Sequence, residues 1–231
     1  MTPRLAWLFD VDGTLLTTEG AAREAFAGAV RERLGAEDPL TDIAFAGRTE
    51  PLILRDILDK HGRHFLDGEE AAFWNAVFDR MRGLLVPPRG RLMPGVRELL
   101  DDIEREPGWV LGLLTGNMSE MGKIKLRRFR LERRFAFGAF GEQAEDRNAL
   151  ARLAVAGLGE RYGVPPARCV VVGDTEHDIA CARAAGARVV AVATGGIARA
   201  DLEAHRPDLV LDDLTRRGAL LDWARGIAEQ G

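Results

Sequence analysis

Leu5-Ala-Trp-Leu-Phe9 is an unbroken apolar run, and it ends on the acidic turn Asp10-Val-Asp12-Gly13-Thr14. A strand with no alternating polar positions is expected where both faces are covered. From Arg91 onward, short apolar runs alternate with amphipathic stretches. Met93-Pro94-Gly95-Val96 opens a helix through Leu99 and Leu100, and strands follow at Trp109–Leu114, Phe135–Phe140, Cys169–Val172, Arg188–Ala193 and Leu209–Leu211. Helical periodicity fills Ser119–Phe129, Asn148–Arg161 and Asp178–Ala185 between them. This alternation predicts an α/β protein with a mostly parallel sheet and helices on both faces.

The segment from Thr17 to about Arg91 has a different texture. Helical spacing runs through Ala21–Leu34, Pro51–His61 and Glu69–Leu85, with no convincing strand. Thr17-Thr18-Glu19 and Val86-Pro87-Pro88-Arg89-Gly90 break the pattern at either end, as hinges between units do. The expected division is a core of residues 1–16 and 92–231 with a helical insert of residues 17–91.

Composition narrows the function. In 231 residues, 46% are hydrophobic and 29% charged, ordinary for a globular chain. No apolar run reaches the roughly 20 residues that span a bilayer, so no membrane association is expected. Arg4 precedes only a short apolar run that ends in acids, unlike a signal peptide, and no export is expected. Cys169 and Cys181 fall in apolar or helical runs and read as core residues, which suits a reducing cytoplasm. A net charge of −4 argues against nucleic acid as a partner. The basic stretch Lys123, Lys125, Arg127, Arg128, Arg130, Arg133 and Arg134 lacks interleaved aromatics and reads as a solvated helix face.

Three predicted strands end in residues suited to phosphate chemistry, at the carboxyl edge where open parallel sheets bind ligands. They end in Asp10 and Asp12; in Thr115-Gly116-Asn117; and in Gly173-Asp174-Thr175-Glu176-His177-Asp178. Carboxylates at the end of an apolar strand are costly unless a metal or hydrogen bonds compensate them. Taken singly, each could be a turn or a capped helix start. His177 reads as a variable helix-start position, and Gly195-Gly196 as a loop of conformational value at the same edge.

In this order and spacing, the three motifs resemble those of the haloacid dehalogenase superfamily of aspartate-nucleophile phosphotransferases, over nearly the whole chain. The helical insert looks like the mobile cap of its phosphoglycolate phosphatase and β-phosphoglucomutase branch. The resemblance implies a Rossmann-like core in which Asp10 attacks phosphorus and Asp12 serves as acid and base. It implies Mg²⁺ held by Asp10, Asp12 and Asp174, with Asp178 in the first or second sphere, and a phosphoryl clamp of Thr115, Gly116 and Asn117. The family usually adds a lysine after the second motif, but here no lysine follows Lys125. Arg147 is the best positional match, with Lys123 or Lys125 able to serve only by reaching back from the preceding helix. In the cap, Gly47-Arg48-Thr49-Glu50 looks like the turn that dips toward the site, with Arg48 and Thr49 as substrate contacts. The expected function is a Mg²⁺-dependent phosphatase of a small phosphorylated metabolite, a phosphoglycolate-like phospho-acid or a phosphosugar, acting as monomer or homodimer. A phosphomutase is the nearest alternative, and a non-catalytic binding protein of the same fold is a third.

Overall fold

The computed structural model describes residues 5–229; Arg4 lies outside them, as do the ends of the predicted core. In chain order, β1 (Leu5–Phe9) and β2 (Leu16–Thr17) precede three helices, α1 (Ala21–Leu34), α2 (Glu50–Lys60) and α3 (Glu69–Leu84). The chain returns through β3 (Arg91–Leu92) and α4 (Val96–Arg105) to β4 (Trp109–Leu114), α5 (Ser119–Arg128), β5 (Phe137–Ala139) and α6 (Arg147–Tyr162). It closes with β6 (Cys169–Gly173), α7 (Glu176–Ala184), β7 (Arg188–Val192), α8 (Arg199–Ala204), β8 (Leu209–Leu211) and α9 (Arg217–Glu229).

Six strands form one sheet in the order β5-β4-β1-β6-β7-β8, and every neighbouring pair is parallel. Side chains alternate across it. Leu5, Trp7 and Phe9 point to a core shared with Leu99, Leu126 and Leu220, while Ala6 and Leu8 point to one shared with Leu150, Ile179 and Leu202. Both faces of β1 are therefore covered by helices, which is why its sequence carries no polar position. A third apolar cluster joins α1, α2 and α3, and it takes in Met121 and Ile124 of α5. The helical cap is thus packed on its own core and leans on one helix of the α/β unit.

Two features go beyond the sequence expectations. β2 and β3 pair antiparallel, Leu16 with Leu92 and Thr17 with Arg91, so the chain leaves and re-enters the core through adjacent strands. Two-residue strands are too short to show a period. The helices α8 and α9 also lie beyond the predicted elements. None of the described helices is long and apolar enough to cross a membrane.

Candidate active site

β1 lies inside the sheet with β4 on one side and β6 on the other. Consecutive crossovers diverge here to opposite sides, which opens a crevice at the carboxyl edge. Phe9 is paired with Leu113 and Val172, so Asp10 emerges beside the ends of both neighbours. The Asp10 N–H donates to Val172 O at 2.9 Å. The chain then folds back, with the Leu15 and Leu16 N–H groups donating to Val11 O at 2.9 and 3.0 Å. Gly13 sits in that turn at φ +82°, and a Cβ there would lie 2.3 Å from Asp174 Oδ2. Conformation and space both demand glycine.

The buried carboxylates Asp10, Asp174 and Asp178 each place an oxygen within 4.8 Å of the others. Asp174 Oδ1 accepts from the Thr14 hydroxyl at 2.8 Å. Its Oδ2 lies in a cradle that a Cβ on Gly195 would fill, at 1.5 Å, so the glycine loop foreseen at this edge shapes the acid site. Asp178 is fixed by the start of α7: the Thr175 N–H and hydroxyl donate to its Oδ2 at 3.0 and 2.7 Å, forming a capping box. Its Oδ1 accepts from Arg147.

Arg147, at the first position of α6, is buried and stands 3.0 Å from Asp10 Oδ1. Burial opposes its charge, but Asp178 and Asp10 outweigh that and hold its pKa well above the usual range. Burial likewise pushes Asp10 up to about 6, against the pull of Arg147. It pushes Asp174 up to about 8, with the charges of Asp178 and Asp10 adding to the effect. Three carboxylates face one guanidinium, so full ionisation leaves two negative charges without a partner. Hard oxygen donors and that surplus fit a divalent cation such as Mg²⁺. Both oxygens of Asp178 already accept hydrogen bonds, which leaves Asp10 and Asp174 as the freer donors.

Asp12 is held apart from this cluster. Lys125 Nζ and Asn117 Nδ2 both donate to its Oδ2, at 2.6 and 2.8 Å. The Asn117 amide also donates to Thr115 Oγ1 at 2.6 Å and accepts from Lys125. Lys125 is only 2% exposed, which corrects the reading of the whole basic stretch as a solvated face. One helical turn after Met121, it falls on the buried side of α5. That spacing was the signal available in the sequence: Lys125 reaches back from the preceding helix, to Asp12. The site therefore uses two cations, with Arg147 on Asp10 and Asp178 and Lys125 on Asp12.

The cap meets the core on the other side. Gly116 approaches the Arg48 carbonyl so closely that a Cβ would lie 2.0 Å from its oxygen. The Glu50 N–H donates to Gly116 O at 2.7 Å, and Glu50 Oε2 accepts the Met118 N–H at 2.7 Å. Met118 is the N-cap residue of α5 and has no side-chain cap of its own, so a carboxylate from the cap satisfies one free donor of this core helix. Arg48 lines the cavity but is paired with Asp56. Thr49 is buried beside Gly141 and is not among the cavity-lining residues. Asp10, Asp12, Thr115, Asn117 and Asp174 share one cavity of about 460 Å³ with Arg23, Phe45 and Ile53 of the cap. Arg23 was not among the residues expected at the site, and Glu50 was expected there only as the end of the turn that dips toward it.

Burial pushes Glu50 from its ordinary 4.5 up to about 7, with Lys125 and the Met118 N–H opposing. Between these values the folded chain keeps a proton that the unfolded chain has released, so this group's contribution to stability falls as pH rises through the window. Glu50→Gln should therefore gain stability relative to wild type between pH 5 and pH 8, by up to roughly 3 kcal/mol. Denaturant titrations at several pH values measure this, and a difference that does not change with pH would count against it.

Comparison with known proteins places this geometry. Residues 147–216 match the HAD-hydrolase-like family model. The chain is 30% identical to a phosphoglycolate phosphatase of Synechococcus elongatus over 208 residues, covering 90% of this chain and 92% of that protein. It is 28% identical to a 5'-nucleotidase of Pseudomonas aeruginosa over 226 residues, covering 93% and 94%. The fold is similar to that of a β-phosphoglucomutase from Clostridium difficile, with a TM-score of 0.74, 18% identity and coverage of 97% and 99%. A central parallel sheet with a helical cap, a buried acid cluster at its carboxyl edge and near-full-length relatives lead to one assignment: the chain belongs to the HAD-like hydrolases, with phosphoglycolate phosphatases among its relatives, and is a phosphoric monoester hydrolase.

Proposed function

We propose that the chain is a Mg²⁺-dependent phosphatase of a small phosphorylated metabolite, working through a phosphoryl group carried on Asp10. The observation that carries this reading is the pairing of two differently held carboxylates on one turn. Asp10 is locked among acids and Arg147, whereas Asp12 is partly exposed and hydrogen-bonded to Lys125 and Asn117.

In this reading an Asp10 oxygen attacks phosphorus and the bond to the leaving oxygen breaks, with Asp12 giving that oxygen its proton. Water then attacks the phosphoryl group on Asp10 while Asp12 takes a proton from it, and the bond between phosphorus and the Asp10 oxygen breaks to release inorganic phosphate and restore the carboxylate. Arg147 offsets the charge on Asp10 while an anionic substrate approaches. Thr115, Gly116 and Asn117 hold the transferring group, supplying hydrogen bonds that strengthen as its charge redistributes. Asp10, Asp174 and the Asp12 backbone carbonyl would hold Mg²⁺, with Asp178 supporting from behind. Bound there, the ion supplies charge neutralisation and orientation of the phosphoryl oxygens.

Residues 17–91 act as the cap that excludes water and selects the leaving group, over a core of residues 1–16 and 92–231. Arg48, on the loop that meets Gly116, shapes the cap side of the site, with Thr49 buried next to it in that loop. The substrate class is a phosphoglycolate-like phospho-acid or a phosphosugar, and the enzyme works in the cytoplasm as monomer or homodimer.

Phosphate release across a panel of phosphometabolites, with and without Mg²⁺, tests the proposal. Turnover of at least one member is expected with Mg²⁺, and chelation should lower it by about 10³-fold or more, in line with several kcal/mol of charge stabilisation. Absence of turnover on the whole panel and on an aryl phosphate would sink it. Stimulation by a sugar bisphosphate, with isomerised rather than hydrolysed product, would instead favour a mutase.

A further inference from the structure

We propose that Arg23 recognises a second anionic group at the far end of the substrate, making the preferred phosphate monoester a doubly anionic one. This rests on the phosphatase reading above. Five cationic side chains line the cavity: Arg23, Arg48, Arg91, Lys125 and Arg147. Four have carboxylate partners, in Asp56 for Arg48, Glu19 for Arg91, Asp12 for Lys125, and Asp10 with Asp178 for Arg147. Among the described residues, Arg23 has none.

Arg23 is nevertheless held in place. Its Nη1 donates to Leu40 O and, at 3.0 Å, to Ile43 O. Its guanidinium carbon stands 4.3 Å over the centre of the Phe45 ring. Carbonyl oxygens and an aromatic face orient a guanidinium without cancelling its charge. Nη1 alone makes these hydrogen bonds, which leaves Nη2 and Nε for a ligand. The phosphoryl end of a substrate is claimed by Asp10 and Thr115 at the sheet edge, while Arg23 comes from α1 in the cap. A guanidinium fixed in a partly buried wall favours an anion, through charge-assisted hydrogen bonds of planar geometry. Two charged cap groups that also line the cavity are already engaged: Arg48 with Asp56, and Glu50 with the Met118 N–H. Both a carboxylate and a second phosphate present this chemistry.

Three probes separate these sources: phosphoglycolate with a carboxylate end, glucose 1,6-bisphosphate with a phosphate end, and glycerol 2-phosphate with a neutral end. Wild type should favour at least one anionic probe over the neutral one in kcat/KM. Arg23→Met should reduce that preference by about tenfold to a hundredfold, mainly through KM, and the probe that loses more identifies the anion. Arg23→Lys keeps the charge and should retain part of the preference, which holds the proposal testable if the Met variant folds poorly. Equal losses on all three probes would show that Arg23 only clamps the loop around Leu40 and Ile43, and would overturn the proposal. So would a wild type with no preference for either anionic probe. Failure of wild type on every probe and on an aryl phosphate would instead remove the phosphatase reading itself.

Discussion

Asp10→Asn is expected to lower phosphate release by about 10⁴-fold or more, because removal of a covalent nucleophile leaves only binding and electrostatic help. The carboxamide is nearly isosteric, so the turn through Gly13 and the position of Asp174 should survive. Its effect on stability is the difference of two opposing terms. The variant loses a 3.0 Å contact with Arg147, and it also removes one charge from a cluster in which burial already pushes Asp10 up to about 6. The folded state should therefore persist, and the variant should still bind a phosphate ester that it does not turn over. Steady-state phosphate release, together with acid-quench labelling of the peptide that contains Asp10, measures both parts. Near-normal turnover in this variant would move the nucleophile elsewhere.

Arg147→Ala should affect both stability and chemistry. Among the described residues it removes the one cation that pairs with Asp10 and Asp178, both buried. Taking one partner from a buried ion pair costs about 3–5 kcal/mol when the other charge stays in place. Asp10 can escape part of that penalty by protonating, since its pKa already stands at about 6 with the arginine present. Destabilisation should thus be larger at pH 8 than at pH 5.5, where the carboxyl is neutral more of the time. In catalysis, loss of a fixed charge beside the reacting group is expected to reduce kcat by about 10²–10³-fold. Arg147→Lys, which keeps charge but changes reach and fork geometry, should recover part of both. Thermal melts at the two pH values and kinetics at saturating Mg²⁺ decide the matter. An alanine variant with wild-type turnover would assign Arg147 to structure alone.

Much of this site was legible in the sequence because strand ends in a parallel sheet are local events. An apolar run that covers both faces must stop where polar residues begin, and Asp10, Thr115 and Asp174 stand at three such stops. Their juxtaposition follows from strand order, which alternating strands and helices restrict strongly. The capping box of Thr175 and Asp178 is equally local, as is the need for glycine at position 13. The unusual arginine was placed by its match to the family's position after the second motif, just before the expected helix at Asn148, and α6 begins one residue earlier, on Arg147 itself.

Lys125 was harder. Its charge places it with the six basic neighbours around it, and only the apolar face of α5 says that it turns inward. Periodicity identifies the face; it does not say which carboxylate waits there, because Asp12 lies 113 residues away. Glu50 and Arg23 were out of reach for the same reason. The side chain of Glu50 reaches Met118 across 68 residues, and Arg23 differs from the other cavity cations in having no carboxylate partner among the described residues. Arg48 and Asp56 show the converse: an arginine suited to a substrate anion on a polar loop already has its partner one helix face away.

The sequence by itself determined the α/β alternation, the acidic strand ends and the helical insert between the first of them and the rest, since each follows from short-range sterics and from burial of apolar period. The tertiary structure alone decided which cation serves which carboxylate, how the cap meets the Gly116 loop and which cavity charge is left uncompensated. Those outcomes depend on distances between groups far apart in the chain, in a low-dielectric interior where a shift of a few ångströms reverses which electrostatic term prevails.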